Sequence, residues 1–204
     1  MPGIEETLRS SGVRLIAGVD EAGRGPCAGP LVIAAVILPD DNSQIFSEVR
    51  DSKALTEKVR EELFEVITTH ALSYSIVEVP PAEIDQLGLH NSNIEGMRRA
   101  IYQLGITPEY VLTDGYPIPG LAIANLAVWK GDQIAPSISA ASILAKVHRD
   151  RIMIEAEQKY PGYGFAKHKG YITAVHSKAL LELGVTDIHR KSFKNVSNIK
   201  QQSI

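Results

Sequence analysis

The chain has 204 residues, of which 44% are hydrophobic and 22% charged, with a formal net charge of −3. That composition belongs to a folded globular protein and excludes a fibrous or disordered chain. The longest apolar run, Leu31 to Leu38, falls far short of the roughly 20 residues that span a bilayer, so no membrane association is expected. One cysteine, Cys27, excludes an intrachain disulfide, and the acidic start lacks the basic-then-apolar pattern of an export signal. A cytoplasmic protein is therefore expected, of one domain with at most a small appendage.

Residues 13–19 are apolar and β-branched and predict a buried strand. Leu31 to Leu38, bounded by Pro30 and Pro39, predicts a second. The Gly- and Pro-rich stretch from Asp20 to Pro30 joins the two as an antiparallel hairpin. Thr56 is a predicted N-cap for a helix to about His70, with Val59, Leu63, Val66 and Ile67 on one face. Leu72 to Val79 alternates as a strand and Pro80-Pro81 ends it. A helix is expected from Asn91 or Ser92, stopped by Gly105; short strands follow at Tyr110–Thr113 and Leu121–Trp129. Ser137 or Ser139 opens a long helix to about Tyr160, and a last helix runs from Ile172 to Leu183 with Gly184 as its stop. Beyond Val185 the tail is polar and basic and is expected to be loosely ordered at its end. Early strands in series, then strands alternating with helices, predict an α/β or α+β layered fold with a mixed sheet.

The net charge hides an asymmetry. Residues 1–129 carry nine Lys+Arg against eighteen Asp+Glu, and residues 130–204 carry twelve against six. A basic C-terminal third fits either a polyanionic partner or a pair of solvated lysine-rich helices.

The strongest local signal is Asp20-Glu21, two carboxylates directly after a buried strand. Like charges there are costly to desolvate unless a cation joins them, and hard oxygen ligands suit Mg²⁺ or Mn²⁺; a polar turn is the other reading. Adjacent strand residues point to opposite faces, so the two share one site only if the strand ends or bulges at that point. Asp114 and Asp132 follow two further apolar strands. Carboxylates converging at strand ends fit a two-metal phosphoryl-transfer site, although each aspartate alone fits a turn. Gly23-Arg24-Gly25 allows close backbone approach to a ligand and places an arginine beside it, or makes a tight turn. Lys167-His168-Lys169-Gly170-Tyr171 combines cations with an aromatic, as a nucleic-acid contact or as a solvated loop with a packed ring. No zinc pattern, P-loop, dinucleotide fingerprint or G-x-S-x-G elbow occurs.

Taken together, the motifs resemble ribonuclease HII of the bacterial type. They are Gly18-Val19-Asp20-Glu21-Ala22-Gly23-Arg24-Gly25-Pro26, Asp51-Ser52-Lys53, Asp114-Gly115, Lys130-Gly131-Asp132, Ser139 to Val147, Tyr163-Gly164-Phe165, His168-Lys169-Gly170-Tyr171 and His189-Arg190, in order over nearly the whole chain. The resemblance implies an α/β RNase H-like fold, a mixed β-sheet flanked by helices, with a catalytic domain over 1–160 and a C-terminal helical extension over 161–204. It implies a metal-dependent endoribonuclease that cleaves the RNA strand of RNA/DNA hybrids and 5′ of single ribonucleotides embedded in duplex DNA. Two ions, Mn²⁺ or Mg²⁺, are implied on Asp20, Glu21, Asp114 and Asp132. Gly23, Arg24 and Gly25 are implied as readers of the 2′-hydroxyl and Tyr171 as the residue at the ribose–deoxyribose junction. Lys53 is a phosphate-contact candidate, and Lys167 and Lys169 are basic candidates beside Tyr171. A monomer is expected, and Asp150 is read as structural. A non-catalytic hybrid-binding module and another two-metal nuclease of the same fold are the alternatives. Cys27 stands where a larger aliphatic residue is usual, and Asp187 where proline is usual.

Overall fold

The computed structural model describes residues 3–40 and 55–202. Its centre is a five-stranded sheet in the order β3-β2-β1-β4-β5. The strands are β1 (Ile16–Ala22), β2 (Leu31–Ile37), β3 (Ser73–Val79), β4 (Tyr110–Asp114) and β5 (Ala124–Val128). The β1–β2 and β2–β3 pairs are antiparallel, as the hairpin reading requires, while β4 and β5 add parallel to β1.

Strand β2 shows how the sheet divides the core. Val32, Ala34 and Val36 face one side, against α2 (Glu57–His70) and α6 (Pro136–Lys159). Leu31, Ile33, Ala35 and Ile37 face the other, against Ile84 of α3 (Pro81–Leu87) and Met97, Ala100 and Ile101 of α4 (Leu89–Tyr102). A strand covered on both faces reads as a continuous apolar run because neither face needs polar residues. Thr56 caps α2 as predicted, its side chain accepting from the Val59 amide.

Helix α6 crosses β1 so closely that Gly18 has no alternative. A Cβ there would lie 2.1 Å from the Ser137 carbonyl carbon. The helix begins at Pro136, ahead of the expected serines, and its cap comes from elsewhere. Glu5, buried on α1 (Ile4–Ser10), accepts from the Ser137 amide at 2.8 Å and its hydroxyl at 2.7 Å. A carboxylate at a helix N-terminus also opposes the positive end of the dipole. Neither α1 nor α3 was expected from the sequence. Pro81, read as a terminator, instead occupies the first turn of α3, where a missing amide costs nothing. Helix α4 starts at Leu89 behind Gly88, earlier than expected, and β5 is shorter than the predicted run.

After α6 the chain forms a turn of helix, α7 (Phe165–His168), then α8 (Ala174–Leu183) and α9 (Lys194–Gln202). These residues close over the β1–β2 connection. Ala28 bridges to His189, and the Cys27 and Gly29 amides donate to the carbonyls of Gly170 and Ile188. Ala28, Met153, Phe165 and Leu180 form a separate buried cluster. The segment after Val185 is tied down: Asp85 of α3 accepts from the Lys191 and Ser192 amides, and α9 buries Val196; the chain's last two residues lie outside the described ones. Asp187, the unusual residue of that segment, pairs with the Tyr160 hydroxyl and with Lys159.

Candidate active site

Strands β1 and β4 run parallel with Val19 beside Thr113, which sets Asp20 and Asp114 at neighbouring positions. Strand β4 stops at Asp114, whereas β1 continues to Ala22 in regular register with β2. The sheet edge is therefore stepped. The strand neither ends nor bulges at Glu21, and the step lets Asp20 and Glu21 reach one cleft from opposite faces of their strand. The cleft has a volume of about 390 Å³, and Asp20, Glu21 and Asp114 line it together with Gly23, Arg24 and Gly25. Tyr171 lines its far side, half-exposed, with its ring over Gly25: a Cβ on that glycine would meet the ring at 3.2 Å.

Electrostatics reflect the crowding. Burial raises the pKa of Glu21, the Arg24 charge counters this at 3.5 Å, and the Asp114 carboxylate adds to the rise. Among the described residues the Glu21 Oε2 atom is buried and accepts no hydrogen bond. Asp20 Oδ1 accepts from the Glu21 amide at 2.7 Å and Asp114 Oδ1 from the Gly131 amide at 2.8 Å. The second contact ties the end of β4 to α5 (Gly131–Ile134), which carries Asp132. Asp132 is buried and does not line the cleft.

The Gly-Arg-Gly loop is held from behind by two buried arginines that motif reading did not single out for the site. Arg190 donates from Nε to the Gly29 carbonyl, from Nη1 to that of Arg24 and from Nη2 to that of Gly23, at 3.1, 3.2 and 2.6 Å. Arg149 donates to the carbonyls of Pro30, Lys169 and Ala28 at 2.9–3.0 Å. In a trans peptide the N–H points opposite to the C=O. With the Gly23 and Arg24 carbonyls turned back onto Arg190, the amides of Arg24 and Gly25 point the other way, toward the cleft. Gly23 has φ +98°, and a Cβ on it would lie 2.0 Å from Arg149 Nε. Its missing side chain thus makes room for the arginine behind the loop.

Other cleft cations are Arg60 and Lys146; the latter pairs with Asp150 at 2.5 Å. Asn93 of α4 lies beside Glu21. Lys167 is exposed, Lys169 donates to the Ala166 carbonyl at 2.6 Å, and neither lines the cleft. Lys53 lies outside the described residues. The buried Arg and Asn partners left no short-range sequence signal, because they act across the fold.

The family model described as Ribonuclease HII matches residues 17–196. The chain belongs to the ribonuclease HII family. The ribonuclease HII of Mycobacteroides abscessus is 54% identical over 195 residues, spanning 96% of this chain and 83% of that protein. That of a Nocardioides species is 55% identical over 194 residues, spanning 95% and 81%. The solved structure of ribonuclease H2 from Pyrococcus horikoshii OT3 superposes with a TM-score of 0.81 at 30% identity, covering 92% of this chain and 98% of the other. The chain is accordingly an RNase H-like enzyme, a metal-dependent endoribonuclease of the ribonuclease H type. Among the described residues no helix is long and apolar enough to cross a membrane.

The residues present fit a divalent cation. Among the described residues no three His, Cys, Asp or Glu side chains close into a ready-made cage. Mg²⁺ does not need one, because it keeps several waters and takes one or two carboxylates plus substrate phosphate oxygens. The orphaned Glu21 oxygen, its pKa raised by burial and by Asp114, is the kind of group that a cation satisfies.

Proposed function

We propose that this enzyme hydrolyses the RNA strand of RNA/DNA hybrids and cuts 5′ of single ribonucleotides embedded in duplex DNA. Asp20, Glu21, Asp114 and Asp132 hold two divalent ions, Mg²⁺ or Mn²⁺. The observation that carries the reading is the convergence of Asp20, Glu21 and Asp114 on a cleft walled by the Gly-Arg-Gly loop and Tyr171. Ions bound there supply an activated water and neutralise charge at the scissile phosphate. The chain's own residues do the rest. Asp20 within β1 and Asp114 at the end of β4 present hard oxygen ligands from a rigid sheet. The Arg24 and Gly25 amides read the 2′-hydroxyl, which alone distinguishes a ribose from a deoxyribose. Tyr171 stacks on the next sugar, flatter to approach where it lacks that hydroxyl. A non-catalytic hybrid-binding module has no use for buried like charges facing a polyanion.

Within this reading residues 1–160 form the catalytic unit and 161–204 an extension, Lys53, Lys167 and Lys169 serve the substrate backbone, and the enzyme works as a cytoplasmic monomer. The test is cleavage of a duplex holding one ribonucleotide, with and without Mg²⁺, by wild type and by Asp20→Asn. Metal-dependent incision 5′ of the ribonucleotide is expected. Incision in excess chelator, or by Asp20→Asn at the wild-type rate, refutes the metal roles.

A further inference from the structure

A buried chain of imidazoles lies directly behind Tyr171. His176 Nδ1 is 2.9 Å from the Tyr171 carbonyl, His176 Nε2 is 3.0 Å from His189 Nε2, and the Thr186 amide meets His189 Nδ1 at 3.0 Å. Both rings are fully enclosed. The chemistry of the two ends fixes every proton between them. An amide N–H only donates, so His189 Nδ1 is bare and its proton sits on Nε2. A carbonyl only accepts, so His176 carries its proton on Nδ1. His189 Nε2–H then donates to the bare His176 Nε2. The chain runs in one direction, from the Thr186 amide through two neutral rings to the Tyr171 carbonyl.

We infer that His176 and His189 are positioning residues for substrate recognition: their relay fixes the Tyr171 backbone so that its ring stands over Gly25. The inference rests on the reading of Tyr171 proposed above. Three further observations support it. The Tyr171 amide donates to the His168 carbonyl, so the residue is held from both sides. The His168 ring stacks on His176 at 4.6 Å and is pinned by the Gly170 amide and the Tyr163 carbonyl. Added protons have no place, because one on His176 Nε2 opposes His189 N–H and one on His189 Nδ1 opposes Thr186 N–H. Burial lowers both imidazole pKa values accordingly. The other titratable groups facing the pair are Cys27, whose Sγ lies 3.8 Å from His176 Nδ1, Arg190, Tyr163 and Asp187.

Nitrogen NMR of histidine-labelled wild-type enzyme tests the relay directly. His176 should show the Nδ1–H form, while His168 and His189 show Nε2–H. An Nε2–H form at His176 overturns the inference. The functional test compares single-turnover cleavage of a duplex with one ribonucleotide against a continuous RNA/DNA hybrid. Only the first substrate offers a deoxyribose next to the ribose. His176→Phe should slow the first by about tenfold, the lower range for a lost stacking contact, and leave the second nearly unchanged. His176→Asn keeps a donor near the Nδ1 position and should restore most of the preference. Equal losses on both substrates overturn the positioning role. Tyr171→Ala, run in parallel, separates the two claims. If it leaves the preference intact, the junction reading has failed, and NMR alone decides whether the relay anchors that backbone.

Discussion

Replacing Arg190 by methionine should damage function at least as much as stability. The side chain makes three guanidinium–carbonyl bonds to the loop. At about 1.5–3 kcal/mol each, these amount to roughly 5–9 kcal/mol. Against them stands the cost of the buried charge. Burial, with the like charge of Arg149 beside it, lowers the Arg190 pKa from 12.5 to about 9. That fall is worth on the order of 5 kcal/mol. The two largely cancel, so Arg190→Met should lose only about 2 kcal/mol of folding stability. The cleft has no such offset. Released from Arg190, the Gly23 and Arg24 carbonyls are free to turn, and the Arg24 and Gly25 amides turn with them. Two hydrogen bonds to the ribose hydroxyl, at up to about 1.5 kcal/mol each, set a loss of roughly a hundredfold in cleavage. Urea denaturation measures the first effect and single-turnover cleavage of one embedded ribonucleotide, in buffer where the variant is fully folded, measures the second. A folded variant that cleaves within about twofold of wild type would show that Arg190 does not orient the loop.

Chelation should abolish cleavage and Mg²⁺ or Mn²⁺ should restore it. Asp114→Asn should lose several orders of magnitude in rate without lowering the urea midpoint, and should also lower the Glu21 pKa, because Asp114 is one cause of its rise. Burial, and then the neighbouring His176 imidazole, depress His189 to about 4. The unfolded chain takes up that proton first, near pH 6.5, so stability is full above about pH 6.5 and falls toward about pH 4, by on the order of 3 kcal/mol. Urea midpoints measured across that range should drop less steeply for His189→Phe; an equal slope removes His189 as the cause. Arg60→Ala and Lys146→Ala should each flatten the slope of log affinity against log salt by about one. Lys167→Ala and Lys169→Ala measure whether the duplex extends past the cleft, and an unchanged slope places these lysines off its path.

Most of the frame was legible because local rules agree with the fold. The continuous apolar run of β2, the Thr56 cap and the Gly184 stop all did what isolated segments predict. Misreadings arose where a distant residue decided the outcome. The start of α6 depends on Glu5, more than a hundred residues away, so no serine was needed at its N-cap. Pro81 opens α3 because proline stops a strand and starts a helix by the same missing amide. At the site, the alternation rule correctly put Asp20 and Glu21 on opposite faces. It failed to foresee that the shortness of β4 would let both reach the cleft, since strand length on one element says nothing about its neighbour.

The charge asymmetry has a different origin from the one its size invites. Arg149 and Arg190 of the basic C-terminal third are buried behind the loop. Lys146 is held by Asp150, Arg151 by Glu61 and Glu65, Lys159 by Asp187 and Lys178 by Glu182. Much of the surplus therefore serves the fold. Two guanidiniums aimed at carbonyls do what no neutral side chain can do with one residue: they gather three acceptors each and leave the opposite amide faces free. The acidic strand ends carry the complementary logic. They stay close because a rigid sheet holds them there, and the repulsion that this stores is the driving force for taking up a cation. In the proposed reading, recognition and catalysis thus draw on opposite charges from opposite ends of the chain, and they meet only because the C-terminal segment folds back onto the β1–β2 connection.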